Sequence, residues 1–113
     1  MTDTPILSSR RYKKNIANVP RLTVNELDHI EVKSFNYITD AEDAQMQYGV
    51  IAEDIANINP NLVQYDEQGQ PKTVYYHLLV PLLLAYVQNL KKEIETLKQN
   101  TPGTTKSIYD ILR

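Results

Sequence analysis

The chain has 113 residues, a formal charge of −2 at neutral pH and no cysteine. That length suits one domain with a small core, and the near-neutral charge argues against a dedicated nucleic-acid binder, which carries a strong basic excess. Without cysteine there is neither a disulfide nor a thiolate metal site.

Residues 1–7 read as a short lead without periodicity, in which Pro5 discourages a helix. The opening MTDTPILSSRRYKK lacks the apolar core of a signal peptide, so a soluble, non-secreted protein is expected. A basic cluster follows, Arg10, Arg11, Lys13 and Lys14, running into Asn15 and Ile16. Pro20 marks a break, after which Leu22, Val24, Leu27 and Ile30 are expected to line one side of a short helix or turn. Val32, Phe35, Tyr37 and Ile38 favour a strand by their β-branched and aromatic character. Their uneven alternation suggests a bulge near Ser34.

Residues 41–47 read as a polar loop, and Tyr48–Ile51 as a short strand. Ile51, Ile55 and Ile58 then recur at i, i+4 and i+7, one face of a helix. Asn59-Pro60 ends it, because the residue before proline avoids helical geometry. Asp66-Glu67-Gln68-Gly69 is a turn between two extended pieces, 62–65 and 72–76. His29 and His77 fall in no ligand spacing, so no metal and no other cofactor is expected.

The last element is a helix over about residues 78–100, with Pro81 placed in its first turn. Val80, Leu83, Val87, Leu90, Ile94 and Leu97 advance by alternating threes and fours, which is a heptad seam roughly 26 Å long at ~1.5 Å per residue. The apolar run at its start is too short to span a bilayer. A single amphipathic helix packed on its own domain shows related spacing. However, Lys91, Lys92, Glu93, Glu95 and Lys98 leave only a narrow stripe, which suits a helix-to-helix seam. Valine and isoleucine at one core position with leucine at the other lean toward two strands. Thr101-Pro102-Gly103 stops the helix, and Ser107–Arg113 either packs back as a final turn or frays.

Two stretches carry a resemblance. The first is Ser8-Ser9-Arg10-Arg11-Tyr12-Lys13-Lys14-Asn15-Ile16. The second is Tyr48-Gly49-Val50-Ile51-Ala52-Glu53-Asp54-Ile55, followed by Pro60-Asn61-Leu62-Val63. Together, in this order, they resemble the C-terminal intramolecular chaperone domain of phage tail-spike and fibre proteins, the endosialidase type or S74-type peptidase domain. Tyr76, Leu79, Pro81, Leu82 and Leu83 lead into the helix as in that family, so the resemblance extends over residues 8–98.

The resemblance implies an α+β fold of short strands and helices, closed by a long C-terminal helix in a trimeric coiled coil. It divides the chain into an upstream stub (1–7), a globular region (8–77), the coiled-coil helix (78–100) and a tail (101–113). It implies a homotrimer that assists the folding of an upstream β-rich fibre segment of the same polypeptide. It then cuts itself at Leu7–Ser8. Assembly would take place in the host-cell cytoplasm, with the fibre on the virion, and with neither nucleic acid nor membrane as partner. Family trimers overrule the dimer lean of the seam.

By the same resemblance, Ser8 is the nucleophile and Lys13 the base. A free lysine titrates near ~10.4, so a base of this kind must be desolvated or set beside other cations. Arg10, Arg11 and Lys14 supply such charge. The five-residue spacing is awkward, since a strand puts the two side chains on opposite faces and a helix separates them by roughly 140°. Either a turn within one chain or a lysine from a neighbouring subunit would close the gap. Ser9, Arg11, Asn15, Gly49 and Glu53 are candidate supporting residues. Ser9 stands where the family commonly has aspartate, which leaves slow cleavage, no cleavage or competition by Ser9 open. Gly49 reads as a backbone requirement before an oxyanion donor. Glu53 and Asp54 either start a helix or pair with the basic cluster. The competing reading is a trimerisation module that never cuts and stays attached. A nucleic-acid module using residues 10–14 is weaker, because acidic residues offset the cluster.

Overall fold

The computed structural model describes residues 6–100. The lead before Ile6 and the tail over 101–113, including the final turn expected at Ser107–Arg113, lie outside the described residues. Over the described residues the chain is a small mixed α and β structure with two separate two-stranded antiparallel sheets followed by a long helix.

After Pro20 the chain forms α1 (Arg21–Asn25), which passes directly into a 3-10 turn over Glu26–His29. Val24 is buried, whereas Leu22 is 83% exposed. The expected single apolar side fails because residues two apart on a helix point roughly 200° apart. Leu27 and Ile30 do pack on the core.

β1 (Lys33–Phe35) pairs with β2 (Gln47–Gly49) in plain register, Lys33 with Gly49, Ser34 with Tyr48 and Phe35 with Gln47. No bulge occurs at Ser34. The strand simply ends sooner than expected, because the Asp40 carboxylate accepts from the Tyr37 N–H at 2.8 Å and turns the chain there. The irregular step lies instead between Gln64 and Tyr65. It sits in the second hairpin, β3 (Val63–Tyr65) with β4 (Pro71–Val74), where Tyr65 pairs with Pro71. The connecting turn is organised by Asp66, whose Oδ1 accepts from the N–H of Gln68 and of Gln70, both at 2.9 Å. Gly69 adopts φ +79°, a left-handed conformation that costs glycine little.

Between the hairpins lies α2 (Ala52–Ile58). Ile55 faces inward and is 1% exposed, and Asn59 ends the helix with its side chain capping a 3-10 turn at Pro60–Leu62. Ile55, Leu62, Val63, Val74 and Leu82 form the core, with Leu27, Ile30, Val50, Ala52, Ala56 and Leu79 packed against it. Burying side chains of this kind stabilises by ~1.5–3 kcal/mol each.

α3 (Tyr76–Asn100) begins two residues before the expected start, with the Tyr75 carbonyl accepting from Leu78 and Leu79. Pro81 is consequently its sixth residue, beyond the first turn where the missing N–H would cost nothing. Leu82 enters the core, and two polar links fix α3 to the preceding segment. Arg21 pairs with Glu93 at 3.2 Å, and the Tyr86 hydroxyl donates to Asp28. Among the described residues no helix is long and apolar enough to cross a membrane.

Candidate active site

The segment from Ile6 to Pro20 is an exposed arm, and among the described residues the hydrogen bonds of its side chains stay within it. Its centre is a single 3-10 turn at Arg10–Tyr12. Ser9 stands at the N-cap with extended backbone, and its Oγ accepts from the Arg11 N–H. The Tyr12 N–H donates to the Ser9 carbonyl at 3.1 Å and the Lys13 N–H to the Arg10 carbonyl at 3.0 Å, which closes the turn. Serine and aspartate are near-equal caps. The hydroxyl of Ser9 therefore does locally what a carboxylate would do for the backbone.

This turn bears on the spacing of Ser8 and Lys13. The two residues flank it, so the chain between them is neither strand nor long helix. Lys13 leaves the turn in extended conformation, and Asn15 follows with φ +57°. Asparagine tolerates that left-handed geometry better than most residues, which gives Asn15 a backbone role. Leu7, Ser8 and Lys13 are all exposed, and Ser8 Oγ donates to the Ile6 carbonyl at 3.3 Å. The arm is pinned locally by Arg11. Its Nη2 donates to the Tyr12 hydroxyl at 2.7 Å, and its guanidinium carbon lies 4.4 Å above the Tyr12 ring.

Gly49 and Glu53 sit apart from this turn, on the body of the domain. Gly49 closes β2, and a Cβ built there would stand 2.9 Å from the Tyr76 hydroxyl and 3.2 Å from Phe35. Its small size is thus a packing requirement. Glu53 and Asp54 occupy the first turn of α2, where negative charge suits the helix dipole. Among the described residues no ion pair joins them to Arg10–Lys14. The Asp54 charge acts on Lys33 instead. Lys33 titrates above the usual lysine range, chiefly because it donates to Glu31 at 2.9 Å, and Glu31 titrates correspondingly low.

Two participants belong to the stretches that carry the resemblance, but their contacts are not legible in the sequence. Tyr76 accepts the Val50 N–H across a separation of 26 residues, and Tyr12 is an ordinary aromatic until Arg11 folds onto it. Among the described residues no group of three or more histidine, aspartate or glutamate side chains converges to hold a metal.

The seam residues lie on α3 away from the core. Val80, Leu83, Val87, Leu90 and Leu97 are exposed, Val80 at 67%, while Ile94 is half-buried. Leu79, Leu82 and Tyr86, one row over, face the domain itself. Leu84 beside the seam is exposed too. An open apolar groove of about 510 Å³ joins the two rows, with Leu27, Ile30, Val32 and Val50 on one wall and Val80 and Leu83 on the other.

A comparison with curated proteins finds no match. The family model of peptidase S74, described as chaperone of endosialidase, matches residues 8–64, about half of the chain. The matched span runs from the serine at the head of the arm into β3. The chain belongs to the peptidase S74 family, the chaperones of endosialidase.

Proposed function

We propose that this domain trimerises through α3, assists the folding of an upstream β-rich fibre segment of its own polypeptide, and then cuts itself between Leu7 and Ser8. The observation that carries the reading is the division of α3 into two apolar rows. One row closes the core of its own chain, and the other is left bare over five exposed positions. An apolar stripe of that length calls for partner helices. Exposed Leu84 widens it beyond two positions per heptad, which favours three helices over two. The groove beside Val80 and Leu83 would then be filled by a neighbour.

In the cleavage step Ser8 Oγ attacks the Leu7 carbonyl carbon as Lys13 takes its proton. The C–N bond breaks, the proton passes to the new amine of Ser8, and water hydrolyses the resulting ester. Two features support it, the family and the turn between Ser8 and Lys13. The exposure of both residues in the single chain favours a cut that waits for assembly, because a lysine acts as a base only once it is desolvated or set beside other cations. It equally fits the second reading, a trimerisation module that stays attached. The test is to fuse an upstream fibre segment and follow particle size with product mass. The proposal predicts a three-chain particle that separates into two fragments. A single-chain particle would overturn the trimer, and an intact trimer would favour the second reading.

A further inference from the structure

Ser8 and Ser9 are adjacent, and each has the same reaction open to it. If Ser9 Oγ attacked the Ser8 carbonyl carbon, a C–O bond would form and the Ser8–Ser9 C–N bond would break. The hydroxyl proton would pass through the base to the Ser9 amine, and water would hydrolyse the ester. The fragment would begin at Ser9, one residue later than the cut at Leu7–Ser8. Something in the chain must choose between them.

Their hydrogen bonds differ in kind. A serine hydroxyl has one proton to donate and two lone pairs with which to accept or attack. Ser9 Oγ accepts from the backbone N–H of Arg11 and from its Nη1, both at 3.4 Å. Both lone pairs are therefore engaged by Arg11, the residue two places downstream. Ser8 Oγ accepts no hydrogen bond among the described residues, and it donates to the Ile6 carbonyl, on the upstream side where its target lies. The guanidinium is held over Ser9 by its other contacts, the hydrogen bond to the Tyr12 hydroxyl at 2.7 Å and the stacking on the Tyr12 ring. A planar fork with several donors can serve a serine, a phenol and a ring face together, and a lysine cannot.

We propose that Arg11 determines the position of the cut by occupying Ser9, so that Ser8 alone is the nucleophile. The assignment rests on the cleavage reading above. It is tested on the full chain fused to an upstream fibre segment, by weighing and end-sequencing the C-terminal product. The wild type gives one end, at Ser8. In Arg11→Ala, which removes the Nη1 contact and keeps the backbone N–H, the share of product beginning at Ser9 rises several-fold, the size expected when one exposed hydrogen bond is lost. Ser8→Ala alone is uncut, whereas Ser8→Ala with Arg11→Ala is cut before Ser9. Adding Ser9→Ala to Arg11→Ala restores a single end at Ser8. The assignment is overturned if Arg11→Ala yields only the Ser8 end, or if it stops cutting altogether and so makes Arg11 a requirement for the reaction. An uncut wild-type chain sinks the cleavage reading itself. A wild-type cut at Ser8 with unchanged ends in Arg11→Ala sinks only the role of Arg11.

Discussion

The Tyr76 hydroxyl occupies the space that a side chain on Gly49 would need, 2.9 Å from the position of its Cβ, and from there it accepts the Val50 N–H at 3.2 Å. The end of the first hairpin is thereby locked to the first residue of α3. Gly49→Ala must displace the Tyr76 hydroxyl and press on Phe35, and overpacking of this kind costs about 1–3 kcal/mol. The expected result is a melting temperature lowered by several degrees. Tyr76→Phe loses only a hydrogen bond, about 0.5–1.5 kcal/mol. Because Phe removes the clashing oxygen, the double variant should be more stable than the sum of the two losses. Strict additivity in thermal unfolding would show that the two positions do not touch.

A second expectation concerns the core. Among the described residues Ile55 is the most completely buried side chain, packed between the second hairpin and α3. Ile55→Ala should destabilise by about 2–5 kcal/mol in chemical denaturation. Ile38→Ala, at a fully exposed position in a turn, should change stability by less than roughly 0.5 kcal/mol.

The seam separates folding from assembly. Leu90→Asp places a charge on the bare row of α3 and leaves the core untouched. Light scattering should report a particle one third of the wild-type mass, with the helical circular dichroism of the body retained. A trimer that survives this change would place the subunit contact elsewhere.

High pH should probe the link between α3 and the turn before β1. The Tyr86 phenol titrates above its ordinary value, first because it donates to Asp28, then through desolvation and the nearby charges of Asp28 and Glu93. A pKa raised in the folded state gives stability that is present below the ordinary tyrosine range near ~10 and lost as pH climbs through the folded value. The wild type should therefore lose more stability above that range than Tyr86→Phe does. Parallel stability curves for the two chains would count against the link.

Much of this was legible in order but not in extent. The repeat at Ile51, Ile55 and Ile58 marks α2, Asn59-Pro60 its end and Asp66–Gly69 the second turn, because each depends on neighbours in sequence. Leu22 and Pro81 were misplaced for local reasons as well, a helix too short to keep one face and a start two residues earlier. The early end of β1 hinged on one carboxylate, that of Asp40. At the candidate site, the motif of the arm was visible, but the grip of Arg11 on Ser9 and Tyr12 was not, since it depends on rotamers. Tyr76 stands among the residues of the resemblance, but its bond to Val50 was not legible because the partner lies 26 residues away.

The bond between Leu7 and Ser8 is where the proposed self-cleavage is tested most directly. With a longer upstream segment fused to the domain, the mass of the C-terminal product measures the cut directly. The account predicts a fragment that begins at Ser8, formed by the wild type, absent in Ser8→Ala and strongly slowed in Lys13→Ala. A wild-type trimer that keeps its upstream segment intact, or a Ser8→Ala chain that is still cut at the same bond, would contradict it.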